Sequence, residues 1–147
     1  MKFSIKKVDL RQEANRTLLL YLQRKILPSD TPHAVDVGHW WVAYDEEGKP
    51  VGFAGMVRSI TWYDCGYLCR AGVLDSHTGH GLQKRLIKTR IAQAKKLNWK
   101  WAITDTTNNP PSANSLINAG FKIYNPTKPW AYRHSLYWRK KLIPDAV

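Results

Sequence analysis

Alternating and helical patterns of apolar residues divide the first half of the chain into short elements. Residues 3–8 alternate as a strand, and apolar positions at helical spacing follow over 10–27. The stretch 28–32 contains two prolines, which stop the helix because proline lacks an amide donor. Two strands are predicted over 39–44 and 50–60, and the charged, glycine-containing turn between them favours an antiparallel hairpin.

The second half of the chain continues this mixture. A strand over 65–74 leads into a helix over 82–97 that carries one apolar stripe. The remaining predicted elements are a strand over 99–106, a short helix over 111–118, and strands over 121–124 and 134–141. This order predicts one mixed α/β (α+β) domain over residues 1–147, with a mostly antiparallel twisted central sheet of six to seven strands and helices on both faces.

Composition supports a folded domain without a membrane segment. The chain of 147 residues is 44% apolar and 12% aromatic, which excludes the disordered class. No apolar stretch approaches the roughly 20 residues of a membrane helix, and charges interrupt the N-terminal segment, so we expect a cytoplasmic protein without a signal peptide. Cys65 and Cys69 lie four apart on a predicted strand, too far for a disulfide, so two reduced thiols are expected.

The charge balance is strongly basic. The chain has 23 Lys and Arg against 11 Asp and Glu, a net charge of +12. Polyanions are attracted by such a charge, and RNA, DNA, an acidic protein or the phosphates of a nucleotide cofactor fit equally well. A solvated basic surface without a polyanion site is the alternative, and either a monomer or a homodimer is compatible with the sequence.

A glycine-containing turn joins the strand ending near Val73 to the helix beginning near Leu82. Gly79 and Gly81 let the backbone approach a phosphate closely, and the first amides of the following helix point at it. The turn lacks the third glycine of a dinucleotide fingerprint and the Lys-Ser/Thr of a P-loop. The sequence therefore predicts a pyrophosphate site of another kind.

This turn resembles the motif V-x-P-x-x-[RQ]-G-x-G-[IL]-G-x-x-L of the GNAT N-acetyltransferases. The matching residues are Val73, Gly79, Gly81, Leu82 and Leu86, and the departures are Asp75, Thr78 and Gln83. The resemblance implies a GNAT-type domain that binds acetyl-CoA, or another acyl-CoA, as its co-substrate. The residues that it implies in binding are Ala71, Gly72, Val73, Thr78, Gly79, His80, Gly81, Leu82, Gln83 and Lys84.

A second segment resembles the same family through the pattern N-P-x-S-x-x-x-L-x-x-x-G-F. The matching residues are Asn109, Ser112, Leu116, Gly120 and Phe121. The resemblance implies that Asn109 and Ser112 face the cofactor. A helix cap by Asn108 or Asn109, with Gly120 ending the helix, is the structural alternative, and both roles can hold together.

N-acyl transfer requires a neutral amine, donors for the oxyanion and a proton for the leaving thiolate. By the resemblance, a backbone amide near Val73 polarises the thioester. Many relatives carry a tyrosine where this chain has Leu116, which leaves Ser115, Tyr124 or a water as proton donor. Asp105 is the nearest carboxylate for the base, with a capping or turn role as its alternative. Further candidates for the base are His33, Asp36 and Asp64.

Two other groups of side chains can be interpreted either as structural or as functional. His77 and His80 lie within the glycine turn without further ligands nearby in sequence, so no metal site is expected. The seven tryptophans are expected in the core. For Trp62, Tyr63 and Trp130, in predicted loops, an aromatic binding wall is the alternative.

The leading hypothesis is an enzyme, an N-acetyltransferase that moves acetyl from acetyl-CoA to a primary amine. The acceptor amine could belong to a small molecule, a protein N-terminus, a lysine or, in view of the charge, an aminoacyl-tRNA. The alternative is a non-catalytic GNAT-like module that binds an acidic protein or a nucleic acid. A nucleic-acid binder without CoA is third, because the chain has no base-reading motif.

Overall fold

The computed structural model describes residues 2–142 and has three helices and seven strands in mixed order within them. The elements are β1 (Ser4–Lys7), α1 (Glu13–Ile26), β2 (His39–Tyr44), β3 (Pro50–Arg58), β4 (Cys65–Val73), α2 (Leu82–Lys96), β5 (Trp101–Thr106), α3 (Pro110–Asn118), β6 (Lys122–Ile123) and β7 (Leu136–Lys141). A single 3-10 turn, Asp75–His77, precedes α2 in this part of the chain. The predicted single domain over 1–147 includes residues 1 and 143–147, which lie outside the described residues.

The strands form one seven-stranded sheet in the order β1-β2-β3-β4-β5-β7-β6. The pairs β1–β2, β2–β3, β5–β7 and β6–β7 are antiparallel, and β4–β5 is parallel. The predicted mixed architecture, with a mostly antiparallel sheet and a β2–β3 hairpin, is therefore confirmed.

The chain divides into two compact units. The first lies within Met1–Val57 and Leu68–Leu86, and the second within Arg58–Tyr67 and Ile87–Val147. In the second unit, β5 pairs with β7 over six residues, and Trp138 is fixed by a 2.9 Å hydrogen bond from its Nε1 to Oγ1 of Thr106. Trp138 and its registered partner Thr104 are buried, and so are their neighbours Tyr137 and Ile103, so both faces of these two strands are covered here.

In the first unit, α1 and the start of α2 cover opposite faces of the β2–β3 hairpin. Val42 packs with Leu19 and Leu22 of α1. Its neighbour Ala43 packs with Leu82 and Leu86 of α2. Successive residues of a strand point to opposite faces, so this single step along β2 separates the two helices. Helices on both faces of the sheet, as predicted, are present in this unit.

The alternation of β4 is interrupted at Arg70. Cys69 packs with the α1-side cluster, and an ideal Cβ on Gly72 would contact Ile26 on that same side. Ala71 and Val73 pack with the α2-side cluster. Cys69 and Gly72 are three residues apart, whereas residues on one face of a regular strand are an even number apart. The regular strand expected over 65–74 therefore contains an irregularity at Arg70, which changes the direction of the following side chains.

Several strands are shorter than the sequence predicts, and two of them begin two residues later for a local reason. The strand expected from residue 99 begins at Trp101, because Asn98 adopts a φ of 60° and Lys100 donates its amide to the carbonyl of Asp64. The strand expected from residue 134 begins at Leu136, because Ser135 closes a turn onto the carbonyl of Tyr132.

Candidate functional site

The predicted phosphate turn lies in the first unit, between β4 and α2. Gly79 and Gly81 have φ values of 83° and 76°, a region that L side chains rarely adopt. An ideal Cβ built on either glycine meets no described heavy atom within 4 Å. The first hydrogen bond across the turn into α2 runs from the amide of Arg85 to the carbonyl of Gly81 at 3.1 Å. The turn therefore has open space in front of a helix N-terminus, as a phosphate site requires.

Contacts within the first unit hold the residues around this turn. The hydroxyl of Thr78 donates to the carbonyl of Asp75 at 3.0 Å, so this departure from the motif is engaged locally. Nε2 of His77 lies 3.4 Å from Oδ2 of Asp45. His80 is exposed, with its ring centroid 5.6 Å from that of Phe3. Neither histidine belongs to a group of three metal-ligating side chains within residues 2–142.

The other predicted cofactor residues of the first unit lie on either side of the turn. Gly72 is buried, and its carbonyl oxygen lies 3.0 Å from an ideal Cβ on Gly52. Close packing here thus favours glycine at position 52, and Ile26 of α1 leaves no room for a side chain at position 72. At the start of α2, Leu82 is buried, Gln83 half-buried and Lys84 exposed. Ala71 is half-buried and Val73 buried on the α2 side of β4.

Asp105, the predicted base, is the centre of a hydrogen-bonded cluster in the second unit. Its Oδ2 accepts a 2.7 Å hydrogen bond from the hydroxyl of Tyr67 and a 2.9 Å bond from Nε1 of Trp130. Its Oδ1 accepts no hydrogen bond from the residues that the structure describes. The expected alternative of a capping or turn role is wrong, because Asp105 lies inside β5 and its bonds go to two distant aromatic side chains.

Aromatic rings surround this carboxylate. The ring of Trp130 meets those of Tyr137 and Tyr67 edge to face, with centroid distances of 4.6 and 6.0 Å. The hydroxyl of Tyr137 accepts a hydrogen bond from the amide of Ala131. This bond holds the segment that carries Trp130. Trp130 is 39% exposed. The cluster thus combines one carboxylate oxygen that accepts two hydrogen bonds, a second that accepts none from the described residues, and aromatic rings beside them.

The two predicted proton donors occupy different surroundings. The ring of Tyr124 packs 5.8 Å from that of Trp62 and 5.0 Å from the guanidinium of Arg139. Burial raises the pKa of Tyr124 to about 12. Ser115 is half-buried on α3. Within residues 2–142 no hydrogen bond joins either residue to Asp105.

The other predicted bases have structural partners or lie in a loop. Asp64 has a φ of 50°, its carbonyl accepts the amide of Lys100, and its carboxylate lies 3.8 Å from Arg58. It is therefore a turn residue. The amide of His33 donates to Oε1 of Gln23 at 2.7 Å, and Asp36 is exposed in the same loop.

Asn109 caps α3 through its side chain. Its Oδ1 accepts the amide of Ser112 at 3.2 Å, and Pro110 opens the helix. Gly120 follows the helix with a φ of 90°. The predicted cap is confirmed, and the contact of Asn109 and Ser112 with a cofactor stays a prediction.

The loop aromatics differ in their surroundings, and Trp62 is half-buried rather than part of the core. Trp62 stacks on Trp101 with a centroid distance of 5.2 Å, whereas Tyr63 is 84% exposed. Cys65 and Cys69 are free thiols. Sequence reasoning did not single out Tyr67 or Arg70, because nothing local in the sequence distinguishes them from other strand residues.

The structure is thus a mixed α/β domain with an open glycine turn before the N-terminus of α2. A family model described as the acetyltransferase (GNAT) family matches residues 8–121. The chain belongs to this family.

Solved structures agree on the fold. The IAA acetyltransferase from Bacillus cereus ATCC 14579 superposes with a TM-score of 0.73 at 18% identity, covering 95% of this chain and 99% of that one. The ribosomal-protein-S18-alanine N-acetyltransferase from Escherichia coli gives 0.75 at 11% identity, with coverages of 99% and 97%. An acetyltransferase from Bacillus subtilis, in complex with CoA, gives 0.73 at 16% identity, with coverages of 97% and 100%. At such identities these structures establish the fold alone, and no curated protein matches the chain.

None of the helices within residues 2–142 is long and apolar enough to cross a membrane.

Proposed function

We propose that this chain transfers an acetyl group from acetyl-CoA to a primary amine. The observation that carries the proposal is the turn at Gly79 and Gly81, with positive φ at both glycines and no described atom within 4 Å of either ideal Cβ. A helix N-terminus behind such a turn binds pyrophosphate through backbone amides. Because the chain belongs to the acetyltransferase family, we take the bound pyrophosphate to be that of an acyl-CoA.

The side chains around the turn add to this interaction. Lys84 and Arg85 supply positive charge in the first turn of α2, where no acidic residue opposes them. Thr78 replaces the usual Arg or Gln of the motif, and its hydroxyl is already bonded to Asp75. The proposed binding of the phosphates therefore depends on backbone amides and on the cationic side chains of α2 rather than on residue 78.

Asp105 is proposed to accept a proton from the attacking amine. Tyr67 and Trp130 occupy its Oδ2, and Oδ1 receives no hydrogen bond from the described residues. A carboxylate oriented by two donors on one oxygen presents the other to a ligand, which is the arrangement a general base needs.

The thiolate that leaves needs less help from the protein than the attacking amine does. A thiol has an ordinary pKa of about 8.5, so its thiolate is a stable leaving group. Burial raises the pKa of the Tyr124 phenol to about 12, which favours a hydrogen bond to the thiolate over complete proton transfer. Tyr124, Ser115 and a water remain the proposed donors.

The experiment is calorimetric titration of the purified protein with acetyl-CoA, repeated with Gly81→Glu. This substitution places a side chain and a negative charge in the turn, but it also strains a backbone with a φ of 76°. Gly48→Glu is the matched control, because Gly48 has a φ of 79° and equally open surroundings in the β2–β3 turn. Binding by the parent and the control, with loss in a folded Gly81→Glu, supports the proposal.

An acceptor screen then tests the chemistry. Radiolabelled transfer is measured with small amines, peptide N-termini, lysine peptides and aminoacyl-tRNA, with and without ribonuclease. Full activity on RNA-free amines excludes an obligatory tRNA acceptor. Absence of acetyl-CoA binding, or binding without transfer to any amine, would instead favour the non-catalytic module.

A further inference from the structure

The second compact unit carries most of the positive charge of the protein. Its described residues contain twelve Lys and Arg against two Asp, whereas those of the first unit contain eleven Lys and Arg against eight Asp and Glu. Both acidic residues of the second unit are engaged, Asp64 with Arg58 at 3.8 Å and Asp105 with two aromatic donors. The unit thus has a large excess of positive charge, which attracts an anionic partner.

Part of this charge lies on one face of the sheet. Partners across an antiparallel pair point to the same face, so Lys122 of β6 shares a face with Arg139 of β7. Lys141 lies on that face too, two residues further along β7. All three residues are exposed, and together we call them the cationic face. Lys122 and Arg139 are like charges directly opposite each other, which costs stability until an anion neutralises them.

Aromatic rings, and not a carboxylate, hold the guanidinium of Arg139. Its central carbon lies 5.4 Å from the ring centroid of Trp101 and 5.0 Å from that of Tyr124. Trp62 stacks on Trp101 at 5.2 Å and packs against Tyr124 at 5.8 Å, which fixes both rings. Neither Arg139 nor Lys122 forms an ion pair with any residue within 2–142. The guanidinium is therefore positioned with its hydrogen-bond donors available to a phosphate.

An exposed aromatic ring lies on the same face. Tyr137 precedes Arg139 by two residues on β7, so its side chain shares this face. The ring of Trp130 meets that of Tyr137 edge to face, with a centroid distance of 4.6 Å, and Trp130 is 39% exposed. Aromatic rings beside a row of cations are the two features by which proteins bind single-stranded nucleic acids.

The segment that carries Trp130 adds further rings and cations and is held in place. Its other exposed residues include Lys128, Tyr132 and Arg133. Trp130 donates its 2.9 Å hydrogen bond to Asp105, and the hydroxyls of Ser135 and Thr107 lie 2.6 Å apart in a hydrogen bond. A segment that is fixed beforehand loses less conformational entropy when a ligand binds.

We infer that the second unit binds a single-stranded nucleic acid, whose phosphates contact the cationic face and one of whose bases stacks on Trp130. An acidic protein would match the charge equally well, but the exposed ring beside the cations favours a nucleic acid, because every base has a face that can stack. The inference does not depend on the proposed acetyl transfer, since a protein without transferase activity could bind the same strand.

The first test is direct binding. Fluorescein-labelled oligouridylate and oligothymidylate of about 12 nucleotides are titrated with the full chain and followed by fluorescence anisotropy. Saturable binding is expected, and log affinity should fall with log salt concentration with a slope of about −2, the value for three phosphate contacts on a single strand. Unlabelled oligouridylate should displace the probe far better than polyglutamate of equal charge. Absence of saturable binding to both probes, or equal displacement by polyglutamate, as an acidic protein partner predicts, overturns the inference.

Charge variants test the cationic face. Lys122→Gln and Arg139→Gln should each weaken binding and make the salt slope shallower by about 0.7, because one phosphate contact is lost. Lys49→Gln removes the same charge from an exposed position of the first unit and should bind as the parent does. At low salt Lys122→Gln should also melt higher than the parent, because its repulsion with Arg139 is gone, so its weaker binding cannot come from unfolding. Binding by both face variants that equals that of the Lys49→Gln control contradicts the inference.

Two substitutions of Trp130 test stacking. Trp130→Phe and Trp130→Leu both lose the hydrogen bond to Asp105, but only Phe keeps an aromatic face. Trp130→Leu should therefore bind oligouridylate about 5- to 100-fold more weakly than Trp130→Phe, with the same salt slope. Equal affinity of the two variants would mean that charge alone attracts the strand, and the inference would be wrong.

Discussion

The hydroxyl of Tyr67 donates a 2.7 Å hydrogen bond to Oδ2 of Asp105, which joins β4 to β5 through their side chains. The parallel register pairs Tyr67 with Ile103, two residues before Asp105. Trp130 donates to the same oxygen from a segment 25 residues further along the chain. Two donors from different parts of the second unit therefore fix the orientation of one carboxylate.

Asp105→Asn is expected to lower kcat by about 10²- to 10⁴-fold, the usual contribution of a general base. The amide has nearly the same shape and can still accept both hydrogen bonds, so acetyl-CoA affinity should not change. Steady-state kinetics and calorimetry measure the two quantities. Retained kcat with a lowered melting temperature would assign Asp105 a purely structural role.

Tyr67→Phe tests the orienting bond separately. The ring stays and one hydrogen bond to Asp105 is lost, so we expect a loss of about 1 kcal/mol in unfolding free energy. The fall in kcat should be smaller than in Asp105→Asn, because the carboxylate remains. Combining the two substitutions completes a double-mutant cycle, and strictly additive effects on kcat would contradict coupling between the residues.

Asn109 caps α3 and is also predicted to contact the cofactor, and two substitutions separate these roles. Asn109→Ala should cost about 0.5–2 kcal/mol of unfolding free energy, because the amide of Ser112 loses its acceptor. Asn109→Asp keeps the cap but adds a negative charge. If Asn109 contacts the cofactor, Asn109→Asp keeps its stability and binds acetyl-CoA more weakly. Unchanged affinity in both variants would leave the cap as its role.

Asp45 makes stability depend on acidity. The amide of Lys49 is the main reason that its pKa lies below the ordinary 3.8, and the amide of Glu47 and nearby His77 lower it further. The folded state thus binds fewer protons than the unfolded chain, so the stabilisation is present above the ordinary value and is lost as pH falls through the lower, folded value.

Asp45→Asn should accordingly melt below the parent at pH about 5, and the two melting curves should converge as the pH falls below the ordinary carboxyl pKa of 3.8 and through the lower, folded pKa of Asp45. Differential scanning calorimetry across this range measures the gap. Glu47→Gln removes a charge from the same turn and serves as the control, with no such convergence expected. A gap that stays constant with pH would show that the carboxylate charge is not responsible.

Cys65 should resist alkylation in the folded protein. It is fully buried, and burial raises the pKa of its thiol to about 12, so almost no thiolate exists near pH 8. In a Cys69→Ser variant, iodoacetamide is expected to label the protein only after denaturant is added, as followed by mass spectrometry. Rapid labelling without denaturant would mean that β4 opens readily.

The helices and strands could be predicted because their signals are local. The alternation over 39–44 and the helical spacing over 82–97 each lie within one element. The glycine turn could be predicted because two glycines and a helix start suffice to suggest an anion site. These signals depend only on residues that are close in sequence, and the structure has the corresponding elements at these positions.

The partners of Asp105 could not be predicted for the opposite reason. Tyr67 precedes Asp105 by 38 residues, and the contact depends on the register between β4 and β5, which no single segment encodes. The surroundings of Arg70 are similar, since the carbonyl of Thr31, which its guanidinium contacts, lies 39 residues earlier in the chain. Position along the chain gave no sign of either arrangement.

The positive charge of helix α2 makes the stability of the protein depend on ionic strength. It carries six cationic residues and no acidic one within Leu82–Lys96. Lys84 and Lys88 repel each other one turn apart, and positive charge in the first turn opposes the helix dipole. Dissolved salt screens this repulsion, and a bound polyphosphate neutralises it. Salt therefore already provides part of the stabilisation that the ligand would give. The gain in melting temperature on binding such a ligand should therefore shrink as ionic strength rises.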